Sequence, residues 1–121
     1  MIMTMTITEM EHAYPKHLNE HIDHFLNLAT NYEAVVSKYT SEHTDFQSGI
    51  SSIHTFTLNK EYFKAHNIAS ELITEVHGKR RIVEAGIDTD SDEYDDFLVI
   101  YMGLCETLHD AFCVTDELMN Q

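Results

Sequence analysis

Apolar residues recur along this chain at alternating steps of four and three, the spacing that lines one side of an α-helix. Leu18, Ile22, Phe25, Ala29, Tyr32, Val36 and Tyr39 form one such seam, and His43, Phe46, Ile50 and Ile53 continue its register. Pro15 suits the first helical position, where a missing N–H has no intrahelical partner to lose. Residues 1–13 are accordingly expected to be an irregular N-terminal segment. Thr40 to Gly49 is rich in Ser, Thr and Asp and poor in helix formers. The seam is therefore either one long helix weakened there or two helices broken near 40–49. The alternation in His54-Thr55-Phe56-Thr57-Leu58 supports a competing reading, a short strand over Ile53 to Leu58.

A second seam runs through Tyr62, His66, Ala69, Ile73, Val76, Arg80, Val83 and Ile87, widened by Leu58, Ala65 and Leu72. Asn59 suits its N-cap, Glu61 suits the positive end of the helix dipole, and Gly86 marks its stop. A third segment opens in Asp88-Thr89-Asp90-Ser91-Asp92-Glu93, where Asp90 and Glu93 have capping-box spacing. Its stripe is Phe97, Tyr101, Leu104, Leu108, Ala111 with Phe112, and Leu118. Phe97 to Met102 is apolar nearly all round, as in a central helix or a subunit interface. Four Gly and one Pro in 121 residues are too few for a β-sandwich or barrel. The pattern predicts an all-α fold, an antiparallel bundle of three to four long helices with heptad-like seams, as one domain over 1–121. The seams and the all-round apolar segment also predict a homodimer.

Charge narrows the function. There are 21 Asp and Glu against seven Lys and Arg, a formal net charge of −14. Eleven of those acids, and no base, fall within residues 82–121. Such a chain repels nucleic acid and anionic membranes and attracts cationic surfaces. Asp92, Asp96, Glu106, Asp110 and Glu117 keep to the side of the third helix opposite its apolar stripe. Asp88, Asp90, Glu93 and Asp95 extend them into a ridge. Carboxylates one turn apart lie about 6 Å from each other, a repeat comparable with that of phosphates along a strand. The ridge is read as the surface that engages a basic protein partner, such as the groove of a nucleic-acid-binding enzyme. In size and composition the chain resembles small acidic helical proteins of phages and mobile elements that block restriction or CRISPR nucleases, and toxin-immunity proteins. That resemblance implies inhibition by occupying a basic surface, and it rests on no shared motif. Two alternatives stand beside it: a helical structural or oligomerisation module with a merely solvated acidic face, and a His/Glu metal-binding bundle.

The metal alternative starts from nine histidines. Tyr14-Pro15-Lys16-His17-Leu18-Asn19-Glu20-His21-Ile22-Asp23-His24-Phe25 resembles the iron-binding His-x-x-x-His helix of hemerythrins over about a dozen residues. The resemblance implies di-iron ligation by His17 and His21 for oxygen binding. The family's preceding His-x-x-x-Glu helix has no room upstream of Tyr14, and its late His-x-x-x-x-Asp is absent, His66 with Glu71 only approximating it. Glu9/His12 and Glu106/His109 match the Glu-x-x-His spacing of ferritin-like di-iron bundles, but chance alone supplies about one such match. Seam geometry places His17, His21 and His24 on flank and outer positions, exposed to solvent, and His43 and His66 on buried ones. No metal or other cofactor is expected. Asp88-x-Asp90-x-Asp92 begins like a calcium loop, yet Glu93 and Val99 stand where Gly and Glu are required.

The sequence has no Gly-rich phosphate loop, no Gly-x-Ser-x-Gly elbow and no Cys with a base partner, so catalysis is not expected. Cys105 and Cys113 on one helix would sit roughly 12 Å apart, too far to bridge. They are read as buried or free thiols in a reducing compartment. The longest continuous apolar run, Phe97 to Met102, is far short of the ~18–20 residues of a membrane span, and the N-terminus lacks a basic n-region. A cytoplasmic protein is expected.

Overall fold

The computed structural model describes residues 6–120. Among them are four helices: α1 (Ile7–Val36), α2 (Phe46–Leu58), α3 (Tyr62–Gly86) and α4 (Asp92–Met119). The helices form the corners of a bundle in which α1 packs on α2 and α4, α3 packs on the same two, and α1 and α3 face each other across the diagonal. Leu28 meets Gly103 and Tyr32 meets Phe97, so α1 and α4 run antiparallel. His66 against Thr115 and Arg80 against Tyr101 show the same for α3 and α4. The all-α antiparallel bundle that the seams predict is the fold observed.

The differences from expectation lie at helix ends. Residues 7–13 are helical, contrary to the irregular segment expected over 1–13; residues 1–5 lie outside the described residues. Thr6 caps α1, its hydroxyl accepting from Glu9 N–H at 3.1 Å, and Met10 and Tyr14 extend the buried seam backwards from Leu18. Cap and seam together outweigh Pro15, which sits inside the helix and removes one backbone donor. Asn59 closes α2 instead of opening α3: its N–H reaches the carbonyls of Thr55 and Thr57, and Lys60 turns the chain with φ of 60°. Ser91, one residue later than Asp90, caps α4 by accepting from Tyr94 N–H at 3.2 Å. Gly86 ends α3 as expected.

The seam does break, over residues 37–45. Glu33 at the end of α1 accepts the Phe46 N–H at 2.5 Å, and Asp45 accepts from Ser48 N–H at 2.9 Å. These two carboxylates satisfy orphan donors that a helix start exposes. The strand reading of Ile53 to Leu58 is overturned. Phe46, Ile50, Ile53 and Thr57 are buried at helical spacing, and a period of 3.6 over the whole segment outweighs the five-residue alternation of 54–58. α2 can lie close to α3 because Gly49 has no side chain where Leu72 packs.

Tyr32 sits at the crossing of all four helices. Its ring stacks on Phe97 of α4 at 5.4 Å and meets Phe46 of α2 edge-on at 5.4 Å. Its hydroxyl donates to the Val76 carbonyl of α3 at 2.5 Å. α4 is also the one described helix long and apolar enough to cross a membrane, with mean hydropathy 1.4 over its richest window. In the bundle its apolar side, Phe97, Leu104, Leu108 and Ala111 included, is buried in the core. Replacing Tyr32 by Phe is expected to lower stability to urea by about 1 kcal/mol. Replacing it by Ala is expected to cost about 3–5 kcal/mol. A Tyr32→Ala loss under about 1 kcal/mol would show that the bundle does not depend on this crossing.

Candidate interaction face on α4

With Phe97, Tyr101, Leu104 and Leu108 turned inward, the opposite side of α4 is fixed by helical geometry. Asp92, Asp96, Val99, Gly103, Glu106, Asp110, Cys113 and Glu117 follow one another at alternating steps of four and three along it. All nine acids of the expected ridge, Asp88, Asp90, Asp92, Glu93, Asp95, Asp96, Glu106, Asp110 and Glu117, are exposed. Among the described residues Lys16, Lys38, Lys64, Lys79 and Arg80 make ion pairs, with Glu20, Glu93, Glu61, Glu42 and Glu75, and Glu84 respectively. Of those partners only Glu93 belongs to the ridge, held 3.9 Å from Lys38 and accepting from the Tyr39 hydroxyl at 2.9 Å. Asp88 accepts from the Asp90 N–H and shapes the turn into α4. The ridge is not continuous. Val99 and Met102, 70% and 66% exposed, form an apolar interval between the carboxylates at 92–96 and those at 106–117. The outward heptad register was the signal for this interval, visible once Val99 and Gly103 are placed between the acids.

A cleft of about 240 Å³ opens where α1 meets α4. His17, His21, His24 and Phe25 line its α1 wall, and Glu106, Thr107 and Asp110 its α4 wall. Its base is the contact of Leu28 with Gly103, where a methyl group would stand 3.3 Å from the leucine. The His17 and His21 rings lie 4.7 Å apart, and each is about one ring-contact from Phe25, at 5.9 and 6.1 Å. Burial and the neighbouring Glu106 raise the Asp110 carboxyl above its ordinary range, opposed by His17 and His109. No single-helix motif announces this cleft, since its walls come from two helices far apart in the chain.

His17, His21 and His24 of α1 are exposed, as their seam positions imply. His66 is half-buried with Nδ1 3.1 Å from the Thr115 hydroxyl, in keeping with the expected hydrogen-bonded core histidine. His43 is a correction. It is exposed, because the 37–45 break ends the register that would have buried it. Among the described residues no group of three His, Cys, Asp or Glu is arranged to hold a metal ion. Cys105 is half-buried and Cys113 exposed, both free, and burial raises the Cys105 thiol so that it stays protonated.

A second polar group, inside the α3–α4 contact, is structural. The Arg80 guanidinium lies over the Tyr101 ring at 4.5 Å, and its Nε is 3.2 Å from Glu84 without the alignment of a hydrogen bond. The Tyr94 hydroxyl donates to Glu84, and Tyr101 shares a 2.6 Å hydrogen bond with His77. Arg80 among the apolar seam positions Ile73, Val76, Val83 and Ile87, with Glu84 one turn on, was its trace in the sequence.

The chain matches no known family, no curated protein and no solved structure.

The two carboxyls give opposite pH dependence. The Tyr94 hydrogen bond, opposed by burial but aided by Arg80, holds Glu84 below its ordinary 4.5. Its stabilising effect is present above 4.5 and lost as pH falls through the lower folded value. Asp110 is raised above 3.8, so it opposes folding at neutral pH and stops doing so as pH falls towards 3.8. Glu84→Gln is therefore expected to lower, and Asp110→Asn to raise, the melting temperature at pH 7. Both differences should shrink towards pH 3, and equal shifts of one sign across pH 3–7 would contradict the assignment.

Proposed function

We propose that this protein acts by binding, through the outward face of α4, a basic surface on a macromolecular partner, and that it neutralises that partner without catalysing a reaction. The observation that carries the reading is the distribution of charge. Five of the seven bases, Lys16, Lys38, Lys64, Lys79 and Arg80, are engaged in ion pairs, while the α4 carboxylates, Glu93 apart, have no Lys or Arg partner among the described residues. Unpaired like charges on one helix oppose folding, and a cationic partner would relieve that repulsion on docking. The apolar interval at Val99 and Met102, rimmed by carboxylates, has the layout of a protein interface, with an apolar centre and a polar rim. A groove built for a nucleic-acid backbone is one surface of suitable charge, which makes a nuclease inhibitor of the nucleic-acid-mimicking kind the most specific form of the reading. Nucleic acid itself and anionic membrane are repelled. The free thiols suit a reducing compartment, hence the cytoplasm.

Exposed Val99 and Met102 also favour a second reading, self-association through α4 as an oligomerisation module. In a homodimer on that face, carboxylates would meet their copies, so dimerisation there should require high salt.

The docking reading is tested by retention of proteins from an extract of the native host on immobilised chain. A specific partner should bind at ~50 mM salt and elute by ~300 mM, because attraction between exposed charges is screened. The variant D92K/D96K/E106K/D110K should lose that partner at least tenfold with an unchanged helical signal, while D23K/E71K should keep it. Equal retention by both variants would overturn the reading.

A further inference from the structure

We infer that the α1–α4 cleft is a socket for the guanidinium group of an arginine side chain presented by the basic partner. The inference rests on α4 being the docking face, since Glu106 and Asp110 belong both to that face and to the socket wall. At about 240 Å³ the cleft is smaller than the usual site for a drug-sized molecule. It suits one long side chain or a small amine. Glu106 and Asp110 are one helical turn apart on the same wall, two acceptors for a planar fork of donors. Opposite them stand flat rings, His17, His21 and Phe25, on which a guanidinium stacks and a compact ammonium gains less. Leu28, packed on Gly103, gives the aliphatic stem an apolar bed.

One further observation points to a missing cation. Among the described residues neither carboxylate is paired with a Lys or Arg, and the nearest base on α1, Lys16, is 3.9 Å from Glu20.

The ionisable groups lining the socket are His17, His21 and His24 from α1 and Glu106 and Asp110 from α4.

The test uses n-butylguanidinium, with neutral n-butylurea as isostere, titrated into the full chain by NMR. Saturable shifts at Leu28, Gly103, Thr107 and the His17 and His21 rings are expected with the guanidinium and not with the urea. Glu106→Gln and Asp110→Asn should each weaken binding about fivefold or more, and the double variant should abolish it. An arginine inside a short neutral peptide should bind better than free arginine, whose own carboxylate meets Glu106 and Asp110. Equal binding of n-butylurea, indifference to both carboxylate variants, preference for free arginine, or tight Zn²⁺ capture requiring His17 and His21 would each overturn the inference. Its failure is separable from that of the docking reading. A chain that retains its partner but shows no guanidinium shift refutes the socket alone. One that binds n-butylguanidinium but captures no partner leaves the socket standing and refutes the docking face.

Discussion

Tyr32 holds α1 in contact with the other three helices through one side chain, and the orientation of α4 follows from it. Stacking against Phe97, with Tyr101 at 6.4 Å on the next turn, fixes which side of α4 turns inward. The hydroxyl bond to Val76 sets the position of α3 on the far diagonal. Burial in this crossing, then the nearby Cys105 and Tyr101, push the Tyr32 hydroxyl well above the usual tyrosine range, so it remains a donor at any physiological pH. Once Phe97 and Tyr101 point into the core, helical geometry alone carries Asp92, Asp96, Glu106, Asp110 and Glu117 to the outside.

Along α3 and α4 the bundle separates two kinds of electrostatics. Inside, Arg80 is held by Tyr101 and Glu84, and Glu84 by Tyr94, so a charged pair sits in the helix contact with its neighbours arranged around it. Outside, the carboxylates are left to solvent. Lys79 illustrates the sorting: it is buried to its stem, yet reaches Glu42 at 3.3 Å and Glu75 at 3.7 Å and so contributes nothing to α4. The core therefore has to overcome a repulsion that, among the described residues, only the Lys38–Glu93 pair offsets. The same unpaired charge underlies the proposal of a cationic partner.

The helical class, the four-and-three seams, the stop at Gly86 and the exposure of the ridge acids within α4 were legible in the sequence because each follows from spacing along one helix. Helix starts were less legible. Pro15 alone set the expected start of α1, whereas the Thr6 cap and the continuation of the seam through Tyr14 and Met10 emerge only in the fold. Asn59 served equally well as an end or a start, and only Lys60 in the left-handed region decided between them. The cleft was not legible at all. His17 and His21 looked like an outer pair, and Glu106 and Asp110 like ridge members, until antiparallel packing of α1 on α4 set them across a common space.

The central claim is that the outward side of α4 is where a cation-rich partner docks. Amide chemical-shift mapping with a helical peptide bearing Lys and Arg at both ends and Leu at its centre tests it most directly. The account expects shifts concentrated between Asp92 and Glu117, with Val99 and Met102 among the largest, and their disappearance at ~300 mM salt. Shifts spread evenly over the exposed acids of α1 and α3, such as Glu20 and Glu71, with none favouring α4, would contradict it.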